Sequence, residues 1–117
     1  MNNRLLLITL AALVVTGCAN APAPTAQLQL TEQVVAQATS VGADNQVPEM
    51  QLAQSKLTLA QKNMNEEDYK RARVLAEQAE LDARLAESKV LVVKSEAQLA
   101  ELRAKIAGLR KQLGAQQ

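Results

Sequence analysis

Apolar residues in the carboxyl-terminal half of the chain recur at alternating intervals of 3 and 4, the period of an α-helix face. One line reads Tyr69, Ala72, Ala76, Ala79, Ala83, Ala86, Val90, Val93, Ala97, Ala100, Ala104 and Ala107. A second reads Leu81, Leu85, Ser88, Val92, Ser95, Leu99, Leu102, Ile106, Leu109 and Leu113. The two lines lie roughly 150° apart on a helical wheel, and a helix that is apolar on two faces expects neighbours on both. No proline and no glycine interrupts the stretch from Tyr69 to Gly108. The pattern therefore predicts one helix running to about Leu113, roughly 69 Å long at ~1.5 Å per residue. Asn65 is its expected cap, with Glu66, Glu67 and Asp68 placing negative charge at the positive end of the helix dipole.

Upstream, Met50, Ala53, Leu57, Ala60 and Met64 form a narrow stripe at the same spacing, behind a Pro48 suited to a first helical turn. Leu28, Thr31, Val35 and Ala38 predict a further short helix over 28–41, stopped by Gly42 and followed by turn material from Ala43 to Gln46. Ala19 to Gln27 contains Pro22 and Pro24 and reads as an extended tether. The expected fold is all-α: a short helix, then an antiparallel hairpin turning near Asn65. Met50, Ala53, Leu57, Ala60 and Met64 would pack on Tyr69, Ala72, Ala76, Ala79 and Ala83. Because the second helix is so much shorter than the third, residues from about Ala86 onward lack an intrachain companion. Leu99, Leu102, Ile106, Leu109 and Leu113 then form a coiled-coil-like arm that self-associates or receives another protein.

Composition sharpens this picture. The chain has 1 Tyr and no Phe or Trp, although 48% of its residues are hydrophobic, so its apolar content is mostly Ala, Leu and Val. An alanine methyl contributes only ~0.8 kcal/mol on burial, which predicts thin contacts rather than a thick core. Small side chains instead let helix axes approach towards the lower end of the usual ~8 to 10 Å separation. Glu66 with Lys70, Glu67 with Arg71, Glu80 with Arg84 and Glu101 with Lys105 are spaced for ion pairs within the helix. A formal charge of +1 gives no reason to expect a nucleic acid partner.

Cys18 is the only cysteine and follows an apolar run, Leu5 to Val15, that begins after Arg4 and is too short to span a membrane. The string Val15, Thr16, Gly17, Cys18 resembles the lipobox of bacterial lipoproteins. That resemblance implies a signal segment over 1–17, cleavage after Gly17, and a covalent lipid on Cys18. Residues 18–27 would be acylated cysteine and tether, and 28–117 the helical domain. Ala19 in place of an aspartate resembles the sorting signal for the outer membrane. More than one acyl chain would make the anchor stable.

Chemistry is sparse. With no histidine, and its single thiol in the lipobox-like string, the chain offers no candidate for zinc or haem ligation or for cysteine or histidine catalysis. No catalytic residue, metal site or cofactor beyond the lipid is expected. After Glu101 the sequence is basic, with Arg103, Lys105, Arg110 and Lys111 and no acidic residue, which suits either a helix carboxyl end or an anionic partner such as cell-wall peptide carboxylates or lipid phosphates.

Asp68, Tyr69, Lys70, Arg71, Ala72, Ala76 and Ala79, with Ala60 upstream, resemble the hairpin of a tetratricopeptide repeat, but no second copy follows at its period of about 34. Taken with the lipobox, the tether, the run Val47, Pro48, Glu49 and the stretch Arg73 to Ala79, the chain resembles a family of small Gram-negative lipoproteins carrying an uncharacterised helical domain, sometimes placed before an OmpA-like domain. The resemblance implies an outer-membrane, periplasm-facing, non-enzymatic protein with the membrane and either a homo-oligomer or an envelope protein as partner. A spacer contacting peptidoglycan, like the major murein lipoprotein, is the alternative. That lipoprotein's wall attachment uses a terminal lysine, and Gln116 and Gln117 stand here instead.

Overall fold

The computed structural model describes residues 21–115. They form α1 (Thr25–Ser40), α2 (Pro48–Asn65) and α3 (Tyr69–Gly114), in the order short, medium and long. The all-α hairpin with an extended carboxyl-terminal helix is the observed architecture. No helix among the described residues is long and apolar enough to cross a membrane.

Each turn is shaped by its own hydrogen bonds. At the end of α1, Gly42 adopts φ +99°, its N–H donates to the Thr39 carbonyl, and Ala43 N–H donates to the Ala38 carbonyl. Those are the paired bonds of a left-handed helix stop, and glycine supplies the required backbone without a Cβ penalty. They also seat Ala43, fully buried, against the Ala38 end of the core. The same pair of bonds closes α2: Glu67 N–H donates to the Met64 carbonyl and Asp68 N–H to the Asn63 carbonyl. Here the left-handed position is held by Glu67, at φ 61°.

α2 runs antiparallel to α3. Lys56 meets Asp82 at 2.6 Å near the middle, and Glu49 meets Lys89 further along, so ascending numbers on one helix face descending numbers on the other. α1 lies beside both and runs parallel to α3, since Thr31 Oγ1 donates to the Ala76 carbonyl at 3.1 Å while Gln37 reaches Glu87. The body is thus an up-down-up bundle sealed by alanines: Ala53 and Ala60 of α2 and Ala72, Ala76, Ala79, Ala83 and Ala86 of α3 are fully buried. Met50 and Thr31 are the largest side chains with that degree of burial. Thr31 is tolerated there because its hydroxyl finds carbonyl oxygens at Gln27 and Ala76.

Four details differ from the sequence-based expectations. α1 begins at Thr25, so Thr25, Ala26 and Gln27 are helical rather than part of a tether ending at Gln27. Proline blocks a helix interior but not its start, and the Pro24 carbonyl accepts from Leu28 N–H at 3.0 Å. Within α1 it is Val34 that is buried, with Val35 only half-buried, because α1 lies between two helices and its inner face is turned towards both. Asn65 belongs to α2 and does not cap α3. Asp68 does, its side chain accepting from Arg71 N–H at 3.1 Å. Glu66 and Glu67 consequently lie in the turn, outside the helix that would align them with Lys70 and Arg71, and Glu66 pairs instead with Lys62 at 3.8 Å. The Glu80–Arg84 and Glu101–Lys105 pairs form within α3.

Candidate functional site

The body ends where α1 and α2 meet α3. Val47, Lys89, Val90, Val93 and Lys94 line an open apolar cleft of about 270 Å³ at this junction. Lys89 donates to Glu49 on one side, and Lys94 Nζ donates to the Val41 carbonyl at 2.6 Å on the other. The Lys89 hydrogen bond, aided by Glu49's own backbone N–H, holds the Glu49 carboxyl below its ordinary value. Nearer the middle of the body, hydrogen bonds from Arg84 and then Gln27 lower Glu80 in the same way.

Through this junction and beyond it, every residue from Leu91 to Ala115 is exposed. The stretch is helical throughout to Gly114, so α3 continues as a single unaccompanied helix. Along it Leu99, Leu102, Ile106, Leu109 and Leu113 keep their line and remain exposed, Leu113 by as much as 66%. Leaving such a row of large apolar groups in water is unfavourable, and an apolar stripe of this geometry on a helix is the surface another helix covers.

Two serines sit on this line and neither disrupts it. Ser88 Oγ donates to the Leu85 carbonyl at 2.9 Å and Ser95 Oγ to the Leu91 carbonyl at 2.8 Å. Their hydroxyls are satisfied by the helix itself, leaving small, hydrogen-bonded gaps between the leucines. Flanking charges are less settled: Lys105 pairs with Glu101 at 2.6 Å, whereas Glu96, Arg103, Arg110 and Lys111 form no ion pair among the described residues.

The residues expected to pack the hairpin lie together in the body. Met50, Ala53, Ala60, Ala72, Ala76, Ala79 and Ala83 are buried, and Leu57, Met64 and Tyr69 are half-buried at its margin. The alanine line continues past Ala86 onto the arm, where Ala97, Ala100, Ala104 and Ala107 are exposed. Val15, Thr16, Gly17 and Cys18 lie outside the described residues. No group of acidic, histidine or cysteine residues among the described residues is arranged to hold a metal ion. Sequence reasoning missed the inter-helix pairs Lys56–Asp82 and Lys89–Glu49 and the Lys94–Val41 contact, because residues that far apart carry no local spacing signal.

Comparison with known proteins fits this architecture. The family model described as "Domain of unknown function (DUF4398)" matches residues 26–113. A crystal structure of a DUF4398 family protein from Pseudomonas aeruginosa PAO1 superposes with a TM-score of 0.80 at 58% sequence identity, over 82% of this chain and 100% of that one. None of the curated proteins matches the chain.

Proposed function

The chain belongs to the DUF4398 family, and from that premise we propose that it is a non-enzymatic, lipid-anchored protein of the cell envelope whose arm is an interaction surface. The exposed leucine line beyond Lys94 carries this reading, because a folded body has left a continuous helical stripe uncovered. The lipobox-like string ending at Cys18 supplies the anchor. The parallel course of α1 and α3 adds an orientation: the amino-terminal end of the body lies away from the arm, so the arm projects from the anchored end by most of the length of α3.

Expression of the full chain in a Gram-negative cell, with labelled palmitate and detergent phase partitioning, tests the anchor. Label and detergent-phase recovery are expected, and both should vanish with Cys18→Ser. Recovery of unlabelled wild-type chain in the aqueous phase would contradict it.

A second reading, contact with peptidoglycan, draws on Arg110 and Lys111, which have no acidic partner among the described residues. Charge reversal at both positions should reduce cosedimentation of the chain with purified peptidoglycan. Unaltered sedimentation would remove this reading.

A further inference from the structure

We infer that the occupant of the leucine line is the arm of a second copy of this chain, paired antiparallel and centred between Ala100 and Glu101. The inference rests on the reading of the arm as an interaction surface but not on the lipid anchor.

Charge decides the direction. In a helix pair that buries the leucine line, Lys89, Glu96, Arg103 and Arg110 fall on one flank of the seam and Gln98 and Lys105 on the other. A parallel pair in register sets Lys105 against the partner's Arg110, twice by symmetry. It also sets Ser95 against Ser95, leaving a thin layer in the middle of the seam. An antiparallel pair centred between Ala100 and Glu101 sets Glu96 against the partner's Arg103, again twice; it also brings Arg110 towards the partner's Lys89, whose charge is already met by Glu49. Glu96 and Arg103 are the opposite charges this register joins. Glu96 and Arg103 have no ion pair among the described residues of their own chain. Sliding this arrangement by one heptad in either direction brings Glu96 onto Glu96 or Arg103 onto Arg103, so charge fixes the register as well.

Packing agrees with that register. Leu99 meets the partner's Leu102, Ile106 meets the partner's Ser95, and Leu113 meets the partner's Ser88. Large side chains thereby face the two small ones, and the serine hydroxyls, already bonded within their own helices, enter the seam without losing a partner. The overlap runs past Lys94 onto the leucine face of the body, where Leu85 and Ser88 are exposed, because α1 and α2 pack on the alanine face of α3 and leave that side open. The resulting rod places the starts of its two α3 helices about 95 Å apart at ~1.5 Å per residue, with the beginning of each α1 on the outer side of its body, a form suited to lying along a surface with both bodies tethered.

Sedimentation equilibrium of the full chain in detergent tests the inference, with circular dichroism reporting that each variant keeps its helices. A dimer is expected for the wild type. Glu96→Arg should weaken it by about 10-fold through two like-charge contacts, and adding Arg103→Glu should restore it to within about 3-fold of wild type. In a parallel pair these residues face Leu91 and Gln98, and neither change would matter. A dimer insensitive to Glu96→Arg, or one weakened without rescue by the double variant, overturns the antiparallel register. A wild-type monomer at about 100 μM overturns self-pairing altogether. The arm then belongs to a different protein, and the proposed function survives that result.

Discussion

The ammonium group of Lys94 caps the end of α1 by donating to the Val41 carbonyl at 2.6 Å, and it is the last residue of α3 hydrogen-bonded to the body. A cation at a helix carboxyl end satisfies an otherwise free carbonyl and opposes the negative end of the dipole. Lys94→Ala should therefore destabilise the body by about 0.3 to 1 kcal/mol, read as a fall of a few degrees in Tm. Lys111→Ala, on the arm, serves as the control and should leave Tm unchanged. Equal effects of the two would show that Lys94 does not join arm to body.

The alanine line passes from full burial to full exposure within one helix, which allows the same substitution to be made on both sides of the boundary. Ala79→Leu should cost about 1 to 3 kcal/mol or more in urea unfolding, since no space exists for the added carbons where α2 and α3 touch. Ala104→Leu, on the same line but exposed, should be close to neutral. A large loss from Ala104→Leu would mean that this face of the arm is packed.

Glu67 holds a left-handed backbone, at φ 61°, that glycine adopts without steric cost. Glu67→Gly should raise stability by up to about 1 kcal/mol, as a thermal melt would detect. A lower Tm would show that the glutamate side chain contributes something that its backbone geometry does not reveal.

Glu49 and Glu80 have carboxyl pKa values lowered in the folded protein, chiefly by hydrogen bonds from Lys89 and Arg84 respectively. A carboxyl with a lowered folded value stabilises the fold while ionised. The contribution is complete above the ordinary value of about 4.5 and is lost as pH falls through the lower folded value. Wild-type Tm should accordingly fall as pH drops below about 4.5, and Glu49→Gln with Glu80→Gln should flatten that fall. Identical pH profiles for wild type and the double variant would contradict this cause.

The helices and the uncovered arm were legible because both depend on local spacing. An unbroken alternation of 3 and 4 from Tyr69 onward specifies one long helix, and the shortness of the Pro48 helix limits how much of it can be covered. Gly42 announced its turn through its type. The second turn lies a few residues beyond its expected place because Glu67 has no residue-type signal for a left-handed position, whereas Asn65 is a good capping residue by type. The burial of Val34 in place of Val35 was hidden for a different reason: a helix lying in the groove between two others turns a broad face inward, and its sequence alone does not say which side of that face is deepest. The direction of α1 and the contacts of Lys56, Lys89 and Lys94 are tertiary facts that required the fold.

Site-specific photocrosslinking in cells addresses the arm most directly. With the photoreactive residue at Leu102 or Ile106, a discrete adduct is expected; at Ala104 or Ala107, on the opposite line of the same helix, none is expected. Adducts from both lines alike, or from neither, would contradict an association surface built on the leucine line.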